Sequence, residues 1–174
     1  LIPASGSYIA TSVRDWLAAY GGHYEVTDPN MHGDQWKQHD FSKYDTIFHV
    51  AGIAHADTGK VSKEEKQLYY EVNRDLAIAA AKKAKASGVK QFIYMSSMII
   101  YGESSPIQDG RRRITSWTRP QPANFYGNSK WQGDRGVRAL ETEDFKVCVL
   151  RPPMIYGKGS RGNYKLLAGL AGIT

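Results

Sequence analysis

The chain has 174 residues, 41% of them hydrophobic, and a formal net charge of +6. That length is enough for one domain with a substantial core, and no apolar run is long enough to span a membrane. The single cysteine, Cys148 in the apolar run FKVCVLR, excludes an internal disulfide and reads as a small buried hydrophobe in a reducing, cytoplasmic setting.

Taken in chain order, Ile2 ends a first strand. No Met or basic leader precedes it, so no secretory signal is expected, and the start and the closing AGLAGIT both read as cuts in a longer protein. A small-residue turn leads into a helix over 11–20, stopped by Gly21 and Gly22, and a short strand over 23–27 ends at Asp28–Pro29. Residues 44–51 (YDTIFHVA) form a buried strand, and 62–87 a long helix stopped by Gly88. Lys82, Lys83 and Lys85 close that helix, where cations favour the dipole, and Lys90 follows. A strand covers 89–96. A Pro-, Ser- and Arg-rich loop over 104–123 carries Arg111, Arg112, Arg113 and Arg119. A helix over 126–140 and a strand over 145–150 follow. The basic residues are explained by a solvated face or by attraction to a phosphorylated substrate, so nucleic acid is not an expected partner. Strands alternating with helices predict an α/β fold whose parallel sheet is covered on both faces.

Ligands of such sheets bind at the carboxyl ends of the strands. Each predicted strand end carries something: the small-residue turn, Asp28, HVAG (49–52), Ser96–Ser97 and Arg151–Pro152–Pro153. Tyr126 and Lys130 in NFYGNSK share a helix face. A free phenol titrates near 10, and a nearby ammonium favours its phenolate. That spacing alone arises by chance about once in a chain of this composition. Ser97, ending its strand in MSSMIIYG, adds a hydroxyl that could hold a substrate oxygen while Tyr126 removes its proton. His49 and His55 have no carboxylate or Cys partner at ligand spacing, so no metal is expected.

Six motifs in order resemble the extended short-chain dehydrogenases, the NAD-dependent epimerase/dehydratase family typified by UDP-galactose 4-epimerase. They are SYIA, YDTIFHVAGIAH, YYEVNRDLAIAAAKKA, MSSMIIYG, NFYGNSK and LRPPMIYGKG, and they cover essentially the whole chain. The resemblance implies a Rossmann-type doubly wound domain binding NAD over 1–157. Residues 158–174 would then begin a substrate-binding lobe that is largely absent. It implies Tyr126 as general base, Lys130 as the group that orients the nicotinamide ribose and lowers the phenol's pKa, and Ser97 as the group that positions the substrate hydroxyl. Ala4, Ser7, Tyr8 and Ile9 would carry the pyrophosphate, and Asp28 would accept from the adenosine ribose. Asp40 and Phe41 would flank the adenine, and Val50, Ala51 and Gly52 would pass close to the cofactor, with Ser96 beside them. Asn73 would tie its helix to the neighbouring strand or contact the cofactor, and Pro153 would lie against the nicotinamide.

The departures also matter. Where the family has three glycines in the first turn, this chain has Ala4, Ser7 and Ala10, and Pro3 replaces the usual Thr. Each change adds a Cβ where backbone should approach pyrophosphate or strand. With no Arg immediately after Asp28, NAD is expected over NADP. Met98 and Ile99 follow Ser97 where the family's dehydratases carry an acid pair. The expected function is thus an epimerase or reductase of a nucleotide sugar, as a homodimer. The alternative is a non-catalytic dinucleotide-binding regulator of the same fold.

Overall fold

Three strands form the regular sheet: β1 (Thr46–His49), β2 (Gln91–Met95) and β3 (Lys146–Leu150). The computed structural model describes residues 1–4, 6–54, 61–102, 113–160 and 169; His55, residues 104–112 of the expected loop and most of 158–174 lie outside the described residues. Both pairings are parallel, in the order β1-β2-β3, with His49 beside Tyr94 and Tyr94 beside Val149.

Backbone bonds continue the sheet past β1. The Leu1 ammonium donates to the Thr46 carbonyl at 2.8 Å, and the Phe48 amide donates to the Leu1 carbonyl at 2.8 Å. On the other side the Ile2 amide donates to the Thr27 carbonyl at 2.9 Å. The opening segment therefore lies between residue 27 and β1, and the chain winds away from it in both directions. That is the switch point at which α/β sheets take ligands. Neither of the first two expected strands becomes regular. Pro3 has no amide to donate, which ends the first ladder after two residues, and so short a partner meets 23–27 only at Thr27.

Helix α1 (Tyr8–Ala18) starts three residues before the expected 11–20. The expected helix over 62–87 is one rod of three parts: α2 (Lys63–Tyr70), a π-helical stretch Glu71–Leu76, and α3 (Ala77–Ala86). A capping box starts it, Ser62 Oγ accepting from the Glu65 amide at 3.1 Å and Glu65 Oε2 from the Ser62 amide at 2.8 Å. In α3, Ala77, Ala80, Ala81 and Ala84 form a fully buried stripe whose small side chains let the helix lie close to the sheet. Helix α4 (Phe125–Arg138) connects β2 to β3.

The alternation of β1 defines two layers. Ile47 packs with Phe92, Tyr94 and the alanines of α3, in a core that also takes Val137 and Phe145. Val50 packs with Ile2 and Ala10 of α1, with Phe48 and Met95 against them. Helices thus cover the β1 region from both sides, the Rossmann-type arrangement expected from the sequence. Two of the clustered lysines close helix geometry: Lys83 Nζ donates to the Lys37 carbonyl at 2.8 Å, and Lys85 Nζ to the Leu140 carbonyl at 2.9 Å, just past α4.

Candidate active site

Tyr126 lies in the first turn of α4, which Asn124 caps by accepting from the Gly127 amide at 2.8 Å. Gly127 brings a second element to that turn. A Cβ on it would lie 2.9 Å from the Ile99 carbonyl and 3.1 Å from Pro122 Cβ. With no side chain there, the 3-10 turn Met98–Tyr101, capped by Ser97, presses against the start of α4. Ser97 is thereby brought to the side of Tyr126, where its hydroxyl favours the phenolate. Burial is the larger influence, and it holds the phenol above its ordinary value, with Tyr69 adding to it.

Lys130, one turn further on, is almost wholly buried. Its ammonium donates to the Met95 carbonyl at 3.0 Å and lies 5.3 Å above the Tyr94 ring. Burial lowers its pKa to about 8. Lys130 is held by β2, and at Tyr126 burial outweighs the groups that favour the phenolate.

The dinucleotide side can be tested on the chain's own donors. The first helical bond of α1 runs from Thr11 N to Ser7 O at 2.9 Å, so the amides of Tyr8, Ile9 and Ala10 have no acceptor within the helix. Such amides at a helix start suit a phosphate. Ser7 is the N-cap without a side-chain bond. The Tyr8 ring leads away from the turn, its hydroxyl lying against Gly157, where a Cβ would be 2.5 Å from it. Asp28 stands beside the turn, its Oδ1 accepting from the Ala4 amide at 3.1 Å. At the end of β1, a Cβ on Gly52 would lie 2.7 Å from Lys130 Nζ and 2.9 Å from Asn73 Oδ1, a bare stretch of backbone beside exposed space. Val50 is buried and Ala51 half-buried next to it, Ser96 is buried with no partner for its hydroxyl among the described residues, and Pro153 is exposed. These donors and openings fit a dinucleotide.

Two assignments change. Asn73 turns its side-chain amide inward: Oδ1 accepts from the Ile53 amide at 2.9 Å, while Nδ2 donates to the Ile53 carbonyl at 3.0 Å and to Ser129 Oγ at 3.1 Å. It ties the rod to the loop after β1, and its amide donors are committed to that tie instead of to a cofactor. The Phe41 ring is core, 1% exposed, with Lys83 Nζ 4.9 Å above it, so only its backbone could border an adenine. Asp40 is exposed and caps the turn after it, Oδ1 accepting from the Ser42 amide at 3.0 Å.

A buried ion pair joins the reacting elements, and sequence reasoning missed it. Arg151, at the end of β3, donates from Nε to Asp134 Oδ2 at 2.8 Å and from Nη2 to Oδ1 at 3.1 Å. Its Nη1 donates to the Tyr101 hydroxyl at 2.8 Å. Asp134 is fully buried one turn after Lys130, so one guanidinium links α4, the Ser97 turn and β3. In GDRG the aspartate looks like a solvated helix charge, and only the fold brings Arg151 to it. Among the described residues no group of three His, Cys, Asp or Glu side chains is placed to hold a metal.

A parallel sheet wound both ways from its first segment, with amides at the helix start and a carboxylate beside them, defines a dinucleotide-binding domain. The chain belongs to the NAD dependent epimerase/dehydratase family, whose model matches residues 23–171, and NAD is the family's dinucleotide. The match leaves out residues 1–22, the stretch that holds Ala4, Ser7 and Ala10. The UDP-glucose 4-epimerase of Vibrio cholerae is 32% identical over 125 residues, which are 71% of this chain and 37% of that protein. The N-acetyl-alpha-D-glucosaminyl-diphospho-ditrans,octacis-undecaprenol 4-epimerase of Escherichia coli O157:H7 is 30% identical over 133 residues, 74% of this chain and 37% of that one. The chain thus spans little more than a third of the length of these relatives. In fold it is similar to UDP-glucuronic acid 4-epimerase from Bacillus cereus in complex with NAD, with a TM-score of 0.73 at 17% identity, covering 99% of this chain and 62% of that one.

Proposed function

We propose that this chain is the cofactor-binding part of an NAD-dependent epimerase, or reductase, of a nucleotide sugar, a cytoplasmic homodimer with Ser97, Tyr126 and Lys130 as its reacting groups. The observation that carries the reading is the packing of the Ser97-capped turn against the first turn of α4, which sets Ser97 beside Tyr126 with the Lys130 ammonium one turn away, at the same strand ends as the open amides of α1.

When bound, NAD supplies a hydride acceptor and donor at its nicotinamide. Tyr126 takes the proton of the sugar hydroxyl as that carbon is oxidised, and returns it on reduction. Ser97 Oγ holds the sugar oxygen, beside the first turn of α4 that carries the phenol. Lys130 bonds the ribose and adds positive charge that favours the phenolate. Burial opposes that charge state at Tyr126, so the base depends on cations around it. Met98 and Ile99 give the Ser97 turn no acid for expelling water, which favours epimerisation over dehydration.

The test is to follow the interconversion of UDP-glucose and UDP-galactose by the full-length protein and its Tyr126→Phe variant. A loss of about 10²–10⁴-fold is expected in the variant, and near-normal turnover would remove Tyr126 from the mechanism. Denaturing the protein and recording the absorption of any released dinucleotide separates tightly held from exchanging cofactor. The glycine-poor first turn, in which only Gly6 stands, favours a second reading, a non-catalytic dinucleotide-binding regulator. NAD binding without turnover on any nucleotide sugar would support that one.

A further inference from the structure

Asp28 does not stand alone. Its Oδ1 is taken by the Ala4 amide at 3.1 Å, and its Oδ2 lies 3.5 Å from Nη1 of Arg14, which reaches down from the second turn of α1. Fourteen residues and the loop after α1 separate the two in sequence, so the absence of an Arg directly after Asp28 is a poor guide to the charge at this site. Arg14 also lies 3.7 Å, through Nε, from Asp15 Oδ1. Both ion pairs are longer than a charge-assisted hydrogen bond of about 2.7–2.9 Å. The Arg14 side chain is 43% exposed and that of Asp28 15%, so the cation is the mobile partner and the carboxylate the fixed one. Asp15, 69% exposed, is the other charged group paired with this guanidinium.

We propose that Arg14 is a cofactor-specificity residue: as the partner of Asp28, it lets the site accept the 2′-phosphorylated dinucleotide, NADP, as well as NAD. This rests on the reading that Asp28 faces the adenosine ribose. A lone carboxylate there accepts from the ribose hydroxyls and repels a 2′-phosphate, whereas a nearby arginine accommodates that phosphate. Here the carboxylate and the guanidinium are already side by side. With NAD, Asp28 keeps its place and Arg14 screens it. With NADP, the loosely held guanidinium turns to the phosphate, where planar bidentate bonding suits it, and Asp28 retains its bond from the Ala4 amide.

The experiment is calorimetric titration of the full-length protein, Arg14→Gln and Asp28→Asn with NAD and with NADP, each at low and at high salt. The wild-type dissociation constants for the two dinucleotides should lie within about tenfold of each other. Arg14→Gln should shift the ratio at least about tenfold toward NAD and flatten the salt dependence of NADP binding, because the charge contact is gone. Asp28→Asn should shift the ratio the opposite way. A wild-type protein that binds NAD but shows no NADP binding overturns the proposal, as does an Arg14→Gln variant with an unchanged ratio. If Asp28→Asn alters neither affinity, the placement of Asp28 at the ribose is wrong, and the role of Arg14 falls with it.

Discussion

Gly133, on α4, faces the π-helical stretch at the tightest point of the site's framework. A Cβ there would run into the Asn73 carbonyl oxygen, and would lie 2.7 Å from the Tyr94 hydroxyl and 3.3 Å from the Asn73 carbonyl carbon. Two of those three atoms are backbone and cannot turn aside. The third donates the 2.7 Å hydrogen bond from Tyr94 to the same Asn73 carbonyl, inside the core. Gly133→Ala must therefore push α4 away from the rod and break that bond. Overpacking costs about 1–3 kcal/mol, and a buried donor and acceptor left unpaired add about 1–3 kcal/mol. Gly136, one turn later, is the internal control. Its Cβ would meet Ile78 Cδ1, with Cγ1 at 2.7 Å, which is the far end of a flexible side chain. A changed rotamer there costs about 0.5–1.5 kcal/mol. Urea unfolding of the full-length protein and the two variants should show Gly133→Ala losing about 2–6 kcal/mol and Gly136→Ala about 0.5–1.5 kcal/mol. Equal losses would mean that the contact between α4 and the π stretch does not set the geometry of the framework.

His49 is fully buried with neither ring nitrogen partnered, and burial, helped by Lys130, lowers its pKa to about 3. It stays neutral in the fold while the unfolded chain takes up a proton near 6.5, so stability is full above that pH and is lost as pH falls toward about 3. Its ring stacks on Phe92 and Tyr94, so His49→Phe should keep the packing and gain about 2 kcal/mol relative to wild type at pH 5, with no gain at pH 7.5, read by urea melts at both. Asp134→Leu strands Arg151 and should cost about 3 kcal/mol or more; Arg151→Lys, which keeps the charge but loses the fork, should cost less. Ala4→Gly with Ala10→Gly should tighten NAD binding in calorimetry if the turn is strained by its methyl groups. Weaker binding would show that the two alanines are adapted to this turn.

The parts of the fold that sequence made legible rest on local chemistry. Gly88 stops the long rod at positive φ, Asn124 starts α4, and the apolar runs of β1, β2 and β3 lie within a residue or two of expectation. The π stretch was not legible, although it leaves a trace. Buried residues at 69, 73 and 77 recur every four positions, a wider turn than the 3.6 of an α-helix. In sequence Asn73 reads as either a tie or a cofactor contact, and its side-chain partners are those of a tie. One of them, Ser129, looks in NFYGNSK like a spacer between Tyr126 and Lys130. Arg14 and Arg151 were out of reach for another reason. Each finds its carboxylate only after a helix or a strand has folded back, and no local pattern encodes that meeting.

The three reacting groups are easier to understand as charges than as a motif. Burial disfavours the phenolate at Tyr126 and the ammonium at Lys130 alike. A base needs the first, and orientation of a ribose the second. Among the described residues the Lys130 ammonium meets a backbone carbonyl and an aromatic face, both weaker partners than a carboxylate. His49, whose titration Lys130 also shifts, is kept neutral, so it adds no competing cation at ordinary pH. A turn beyond, the buried Asp134 carboxylate is shared by Arg151 and Arg138. The site is therefore short of charge partners where the chemistry would occur and well provided where the elements join. A cationic ring and a ribose hydroxyl pair are the partners that would correct this shortage, because the first favours the phenolate and the second accepts from the ammonium. On this argument the Ser97–Tyr126–Lys130 group is not a preformed base awaiting a substrate. Burial weakens the charged form of both Tyr126 and Lys130, so the proposed chemistry at Tyr126 depends on the dinucleotide being held by the glycine-poor turn.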